Sequence, residues 1–539
     1  MKDASSGIGL DRLEREPLFA VAAMKIDAFW AATGAVTAAV AGVLGWFLRT
    51  WPPHEDEGLA LFVGRGSLGH MLHTVIAERG GAPLHYLFAW AVVHLGGGLT
   101  ALRAVSLVFA VASVPLIAML GARLADRTTG VVASVLASAS WVFLFHGVFG
   151  RMYSLFLFTS LLSLLALLAA LEDGRPRRFA AWGAALVLVL ASHPYAVLLV
   201  AAEVLFVVLR RRRVRAALVT VAAVAAAGVP FWWADVVLRN RFEVGIGGGG
   251  RRLGSPGSVV RYLWSVAGDF SSHDQVWSVC LLLLAGVGAV LLARRNREGA
   301  LLIACVILVP AIAFLLATLG STTSPEARHL IFALPLYSLL LAAPLVTVAR
   351  LGTAATAAAV LVVGVIVIGE VRWAHAKTPQ LFDGNPARQV RARDTAAAWL
   401  ASTARSSDVL LGYAPVFLRA WERNRSFSDE VLPRADPALF TAALRHVPLP
   451  IGRGVWVFDA SDTTNARQLQ TIRLVFPRPA AAFEARVYGP YLVIRSRAPL
   501  LTRAHYLAVA ERVMLVGRSL QINDADVNLQ TMRRAESRL

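Results

Sequence analysis

Residues 28–48 read AFWAATGAVTAAVAGVLGWFL, and the chain soon continues as His54-Glu55-Asp56-Glu57-Gly58. The first stretch is apolar and, as a helix, is long enough to cross the roughly 30 Å hydrocarbon core of a bilayer. The three adjacent acids should therefore emerge at a membrane face, where like charges repel one another. In a chain of net charge +19 they are a local exception. They either serve a functional site or form a solvated turn that caps the next helix.

The composition predicts an α-helical polytopic membrane protein. The chain has 539 residues, of which 57% are hydrophobic and only 16% are charged, a balance outside the range of soluble domains. Apolar runs long enough to span recur along it, and about eleven crossings are expected. The predicted spans are 28–48, 101–120, 130–149, 153–171, 179–192, 195–209, 216–234, 276–293, 299–319, 329–349 and 353–370. Two of these are short, so a tight hairpin is expected at His193-Pro194.

Arginine clusters predict the orientation of the chain. They fall on alternate loops, which the positive-inside rule assigns to the cytoplasm. The clusters are Arg123 with Arg127, Arg175 to Arg178, Arg210 to Arg215, and Arg294 to Arg297. The N-terminus is then cytoplasmic, the acidic loop 51–100 is outside, and a plasma (inner) membrane location is expected. The outer loop 235–275 departs from the rule with Arg239, Arg241, Arg251, Arg252 and Arg261.

Polarity rises abruptly after the last predicted span, which divides the chain into a membrane domain, 1–370, and an extracytoplasmic domain, 371–539. Residues 394–402 and 502–520 have helical patterns, with Asp394 as a capping residue. Residues 409–412, 455–458 and 487–494 are rich in β-branched and aromatic residues and predict strands. A small α/β domain follows from this alternation.

Polar groups interrupt the apolar pattern at four further places that the predicted topology assigns to the outer face. These are Pro83-Leu84-His85-Tyr86, Arg151-Met152-Tyr153, Ser192-His193-Pro194-Tyr195 and Glu326-Ala327-Arg328-His329. Together with the acids they predict a composite site at one membrane face.

In this order, the motifs resemble those of the C-superfamily glycosyltransferases, and most closely family 39, which includes the protein O-mannosyltransferases and the lipid A aminoarabinose transferases. The resemblance covers residues 28–350. It implies a polyprenyl-phosphate sugar donor, a lipid, glycan or protein acceptor at the outer face, and inversion at the sugar. The acidic pair of these enzymes matches Asp56 and Glu57, the first being the usual base. Many relatives have a Glu where this chain has Phe149, and Glu55 is a candidate replacement.

Transfer of a sugar from a phosphodiester requires a base for the acceptor hydroxyl and positive charge at the departing phosphate. Asp56 is the candidate base. Arg151 and Arg328 are candidates to bind the phosphate, with further hydrogen bonds from Tyr153 and His193. His54, Glu55 and His85 are candidate accessory residues. Each arginine could instead anchor a helix end at the membrane surface, and His193 could serve the hairpin structurally.

Two other functions are weighed against this one. A transporter or flippase of a lipid-linked substrate would place ionisable residues at mid-membrane, and a silent relative could act as an assembly partner. Nucleic acid is not expected as a partner, because the arginines are dispersed among membrane loops. No cofactor is predicted, although His70 and His73 beside the acids could bind a divalent metal; a polar surface helix is favoured there.

Overall fold

The computed structural model describes residues 18–76, 82–229, 253–272, 274–317, 325–428, 430–434, 437–460, 477, 479–522 and 525–539. Within these ranges seven helices are long and apolar enough to cross a membrane, or eight if a bent pair counts as one span. The seven spans are Ala28–Thr50, Leu99–Leu124, Tyr153–Asp173, Gln275–Arg295, Arg297–Leu316, Ala327–Ala349 and Thr353–Lys377. The chain is thus a multi-pass membrane protein, as predicted.

The described part of the first half of the chain consists of helices joined by turns and short loops. Its helices are α1 (Leu18–Thr50), α2 (Glu55–Gly64), α3 (Leu68–Thr74), α4 (Leu84–His94), α5 (Leu99–Leu124), α6 (Arg127–Ala139), α7 (Trp141–Val148), α8 (Tyr153–Asp173), α9 (Pro176–Ser192), α10 (Ala196–Arg210) and α11 (Val214–Ala227). The chain breaks between α9 and α10 at residues 193–195, where the hairpin was predicted. Helices α9, α10 and α11 are shorter than the seven spanning helices, so they account for most of the difference between eleven expected and seven found spans.

The predicted span 130–149 is not one helix. Ser140 interrupts it with an extended backbone, and its hydroxyl accepts a hydrogen bond from the Phe143 backbone N–H and so caps α7. The axes of α6 and α7 differ in direction by 67°. This bend leaves α7 beside the turn that leads into α8, at the level of the acidic residues.

The second half of the membrane part contains α12 (Pro256–Phe270), α13 (Gln275–Arg295), α14 (Arg297–Ala317), a 3₁₀ helix (Ala327–Ala333), α15 (Leu334–Ala349), α16 (Thr353–Lys377) and α17 (Pro379–Asp383). Arg261 lies on α12, whereas Arg239, Arg241, Arg251 and Arg252 fall outside the described residues. Small residues allow close helix packing: a Cβ on Gly130 of α6 would overlap the carbonyl oxygen of Ala118 on α5.

The C-terminal part is a small α/β unit, as predicted. Its elements are α18 (Ala387–Thr403), β1 (Val409–Leu411), α19 (Pro415–Arg423), β2 (Glu430–Leu432), α20 (Pro437–His446), β3 (Gly454–Asp459), β4 (Phe483–Tyr488), β5 (Tyr491–Ser496), α21 (Arg503–Ser519) and α22 (Ala525–Glu536). The strand order is β2-β1-β3-β5-β4, with β1 parallel to both neighbours and β5 antiparallel to both of its own.

Two local predictions for this unit are wrong. Residues 487–494 are not one strand but the turn of a hairpin, since Gly489 has a positive φ of 55° and Pro490 follows it. Asp394 does not cap a helix either; it lies inside α18 and pairs with Arg419 at 3.0 Å.

The α/β unit packs against the α2–α4 region rather than standing apart. Phe62 of α2 contacts the rings of Tyr413 and Trp421 with centroid distances of 6.1 and 6.0 Å. Arg65 donates a 2.5 Å hydrogen bond to the carbonyl of Ser428. A shared apolar core therefore holds the acid-bearing helix α2 against the C-terminal unit.

Candidate active site

The three acids lie in the first turn of α2, and His54 fixes that turn. The His54 Nδ1 accepts a hydrogen bond from the Asp56 backbone N–H at 3.2 Å, and the His54 N–H donates to the Glu57 carboxylate at 3.0 Å. This is a reciprocal capping box with histidine in the capping position. Negative side chains are also favoured at a helix N-terminus. The acidic turn is therefore a defined helix start, and each acid points to different neighbours.

Glu57 is fully buried and all of its acceptor capacity is used. Arg103 of α5 donates from Nε to Oε1 at 2.8 Å and from Nη2 to Oε2 at 2.6 Å. The Gly150 N–H donates to Oε1 at 2.8 Å, and His54 donates to Oε2. A carboxylate offers about four lone-pair sites, and these four donors fill them. Glu57 was predicted as a catalytic residue, but this geometry favours a positioning role for it.

Arg103 also ties the acidic turn to the end of α1. It donates hydrogen bonds to the carbonyls of Trp51 and Pro52 at 2.6 and 2.7 Å. The sequence analysis did not single out Arg103, although an arginine inside an otherwise apolar span is itself a signal of a buried ion pair.

Asp56 is half-buried and lies among cations. Burial works to raise the pKa of its carboxyl, but the attraction of Arg151, His54 and Arg328 outweighs burial and leaves that pKa below its ordinary value. Residues far apart in the sequence are thus brought within electrostatic range of Asp56. Of the three acids, Asp56 is the one that faces Arg151 and Arg328, the predicted phosphate-binding arginines.

Glu55 points away from these arginines, towards the C-terminal unit. Arg434 forms an ion pair with it and donates from Nε to Oε1 at 2.9 Å, while the Tyr413 N–H donates at 3.3 Å. Glu55 was a candidate second catalytic carboxylate. Its described partners link α2 to the C-terminal unit, and a catalytic role for Glu55 stays a prediction.

Arg151 lies in the turn between α7 and α8, beside Asp56. Its Nη1 donates to the Asp56 backbone carbonyl at 3.3 Å. Burial works to lower the pKa of the guanidinium, but Asp56, Tyr86 and Tyr153 raise that pKa overall. Arg151 therefore stays positively charged. The buried Arg151 Nε has no hydrogen-bond partner among the described residues.

Arg328 approaches from the 3₁₀ helix that precedes α15. It donates to Glu326 at 2.8 Å, and its guanidinium carbon lies 5.1 Å from the centroid of the Tyr153 ring. Its Nε is also buried without a partner in the described part of the chain. Burial, opposed by Arg328 and reinforced by Asp56, raises the pKa of Glu326.

His193 lies in the α9–α10 break and contacts the same group of rings. Its Nδ1 accepts from the Tyr195 N–H at 3.1 Å, and its ring stacks on Phe156 at 4.9 Å. The Tyr153 centroid lies 5.5 Å away. His193 therefore has a structural role in the hairpin, and it also borders the site.

His85 of α4 is 3% exposed, and its Nε2 has no partner among the described residues. Burial, reinforced by the charge of Arg151, lowers its pKa to about 3, so the imidazole is neutral. It borders the Arg151 side of the site.

The sequence analysis missed His146 and Lys377. The His146 ring lies 4.5 Å from that of Tyr153, and Lys377 lies at the end of α16. A histidine five positions before Arg151 in an apolar segment was an available signal.

The fold of the chain is found again in solved structures. ArnT from Cupriavidus metallidurans in the apo state matches with a TM-score of 0.53 at 14% identity, over 86% of this chain and 98% of that chain. The same protein bound to undecaprenyl phosphate matches with a TM-score of 0.55 at 13% identity, over 87% and 98%. The apo oligosaccharyltransferase from Archaeoglobus fulgidus matches with a TM-score of 0.51 at 11% identity, over 82% and 71%.

Residues 80–233 match the family model described as dolichyl-phosphate-mannose-protein mannosyltransferase. The chain resembles the C-superfamily glycosyltransferases, in its fold as a whole and in the sequence of residues 80–233. No curated protein sequence matches it. The recognition made from the ordered motifs is thereby confirmed at the level of the superfamily and of its mannosyltransferase and ArnT branch.

Phe149 occupies the position at which the resemblance led us to expect an acid. Phe149 is 1% exposed and packs on His54 and Trp51 with centroid distances of 5.3 and 6.4 Å. Glu326, which pairs with Arg328, lies within electrostatic range of Asp56. Among the described residues no group of three or more His, Cys, Asp or Glu has the arrangement of a metal site.

Proposed function

We propose that this protein is an integral membrane glycosyltransferase that moves a sugar from a polyprenyl-phosphate donor to an acceptor hydroxyl, with inversion at the anomeric carbon. One observation carries the proposal: Asp56 lies within the field of Arg151 and Arg328, and both arginines keep a buried Nε without a partner in the described residues. A base beside unsatisfied cationic donors is what transfer from a phosphodiester requires.

In the proposed step the acceptor hydroxyl oxygen attacks the anomeric carbon while the bond from that carbon to the phosphate oxygen breaks. The electron pair of the broken bond leaves with the polyprenyl phosphate, and Asp56 takes the hydroxyl proton. Arg151 and Arg328 stabilise the charge that develops on the phosphate, with Tyr153 and His193 at the border of the same region. Glu57 and Arg103 hold the turn that carries Asp56, and His54 caps it.

The predicted topology supports the outer face of the plasma membrane as the place of transfer. The proposed membrane domain is 1–370, and the proposed extracytoplasmic domain is 371–539. The C-terminal unit contacts α2, the helix that carries the three acids, and this contact supports a place for it beside the site. The acceptor class, whether lipid, glycan or protein, follows from the family resemblance, and the ArnT structure with undecaprenyl phosphate supports a lipid-linked donor.

The decisive test is transfer of labelled sugar from a polyprenyl-phosphate donor by the purified full-length chain and by Asp56→Asn. The variant keeps the size of the side chain and loses the base, so a hundredfold or greater fall in kcat is expected, in line with the 10²–10⁴ contributed by a positioned base. Its donor binding and its melting temperature should stay close to those of the unaltered protein.

Unchanged turnover in Asp56→Asn would remove Asp56 from the mechanism. The assay also separates the rival functions, because a transporter or a silent relative would move or bind the lipid without releasing labelled sugar to an acceptor.

A further inference from the structure

His146 is a buried imidazole whose hydrogen-bonding groups are unused. It lies on α7 with 1% exposure, and neither Nδ1 nor Nε2 has a partner in the part of the chain that the structure describes. Its backbone is fixed, since the Ser154 hydroxyl donates to the His146 carbonyl at 2.5 Å. Leaving a buried polar group without a partner is unfavourable, so such a ring is expected to meet a ligand.

The Arg328 guanidinium carbon lies 5.1 Å from the centroid of the Tyr153 ring, and that ring lies 4.5 Å from the His146 ring. Three cations, Arg328, Lys377 and Arg151, lie within electrostatic range of His146. They come from the 3₁₀ helix, the end of α16 and the α7–α8 turn. Such a convergence of cations on one buried imidazole disfavours a cationic ligand and favours an anionic one.

Lys377 is held in place by an aromatic ring and an acid. Its Nζ lies 3.6 Å from the centroid of the Trp141 ring and 2.5 Å from Asp269 Oδ1. Trp141 is itself fixed by a 2.8 Å hydrogen bond from its Nε1 to the Thr378 hydroxyl. The Trp141 and His146 ring centroids are 5.9 Å apart. Lys377 and His146 therefore both contact the ring of Trp141, whose position is fixed.

Each cation already faces one carboxylate and still has donors to spare. Arg151 faces Asp56, Arg328 faces Glu326, and Lys377 faces Asp269. A guanidinium has five N–H groups and an ammonium has three. The acids keep the unliganded site close to neutral, while the spare donors remain for a phosphate.

We propose that His146 and Lys377 form a phosphate-binding subsite with Arg328, and that this subsite binds the phosphate of the polyprenyl-phosphate donor and of the lipid product. The inference rests on the proposed function, because it names where the donor phosphate binds in that site. Lys377 ends a membrane span, so the attached lipid chain would lie against the helices while the phosphate meets the cations. The sugar would then lie on the Arg151 side, next to Asp56.

The test compares the binding of undecaprenyl phosphate and of undecaprenol to the full chain in detergent micelles. Each lipid is titrated into the protein, and binding is measured as the shift in the melting temperature of the protein. The unaltered protein should prefer the phosphorylated lipid. Lys377→Gln and His146→Phe should each weaken binding of undecaprenyl phosphate at least tenfold and leave binding of undecaprenol unchanged. Lys377→Arg should restore most of the preference, because it restores the charge.

The matched control is Arg425→Gln. Arg425 also lies over a tryptophan ring, 3.9 Å from the Trp421 centroid, but on the C-terminal unit. Its removal should leave the preference for the phosphorylated lipid intact. His146→Gln, which keeps a polar side chain, provides a second variant if His146→Phe is not obtained as a folded protein.

The outcomes distinguish a failure of the proposed subsite from a failure of the proposed function. If the unaltered chain transfers sugar and both Lys377→Gln and His146→Gln bind undecaprenyl phosphate as it does, the subsite is wrong and the proposed function stands. If the unaltered chain prefers undecaprenyl phosphate through these two residues but transfers no sugar, the subsite is supported and the proposed function fails. If the unaltered chain binds both lipids equally, the subsite is overturned.

Discussion

Two arginine–carboxylate regions start from neighbouring residues of α2 and differ in one respect. In the Glu57–Arg103 region every carboxylate lone pair has a donor, and Arg103 also binds two carbonyls. In the Asp56 region Arg151 and Arg328 retain buried Nε groups without partners among the described residues. The same residue types thus build a closed region that fixes the turn and an open region that can receive an anion. Unused donors, more than charge itself, distinguish the candidate site.

The largest expected effect tests the closed region. Glu57→Ala leaves the buried Arg103 guanidinium without its carboxylate, so the free energy of unfolding should fall by about 3–5 kcal/mol. Denaturant titration in micelles measures it. Asp56→Ala is the matched control, one residue away, and should unfold much closer to the unaltered protein. Equal losses in the two variants would contradict the division between the regions.

Arg151→Ala tests the open region and should act on the reaction instead. Loss of one donor to the developing phosphate charge should cost about 3 kcal/mol of transition-state stabilisation, or 10²–10³ in kcat, with weaker donor binding. Steady-state transfer kinetics measure both. Normal kcat and KM for the donor in a folded Arg151→Ala protein would assign this arginine to helix anchoring.

The pH dependence of transfer should sharpen the open region further. Asp56 acts as a base only when deprotonated, so kcat/KM should fall as pH falls through its pKa, which the nearby cations hold below the ordinary value. Arg328→Gln removes one of these cations, so the pKa of Asp56 should rise and the acid limb should move to higher pH. Arg372→Gln, at an exposed position of α16, should not move it. A shift to lower pH would contradict the assignment.

The smallest effect is expected where α2 meets the C-terminal unit. Glu55 and Arg434 are both partly exposed, with 30% and 22% of their side chains accessible, so their coupling should be no more than about 1 kcal/mol. A double-mutant cycle of Glu55→Gln and Arg434→Gln, followed by micellar unfolding, measures it. If Glu55→Gln instead lost as much transfer activity as Asp56→Asn, Glu55 would belong with the open region.

Periodicity was sufficient for most of the fold. Long apolar runs predicted the seven spans that are found, and the β-branched runs predicted β1 and β3. The bend at Ser140 and the hairpin at Gly489 were missed, because both lie inside stretches whose average composition suits one continuous element. The local turn chemistry of Ser and of Gly-Pro decided these cases.

For the candidate site, the sequence predicted which residues would meet at one membrane face, and Asp56, Arg151, Tyr153, His193 and Arg328 do lie together. Their roles stay predictions. Glu326 belonged to one of the predicted polar groups but was given no role, and His146 and Lys377 were not predicted as site residues, since no short motif links them to the acids. They became apparent only through contacts between elements more than a hundred residues apart.

The sequence by itself determined that this chain enters a membrane many times, carries three acids at the start of a helix near the membrane face, and ends in an α/β unit. Only the tertiary structure decided what each acid does. Successive residues of an α-helix point about 100° apart, so Glu55, Asp56 and Glu57 face three different surroundings. Arg434, Arg151 with Arg328, and Arg103 occupy those surroundings, and packing of distant segments, not local propensity, brought each of them there.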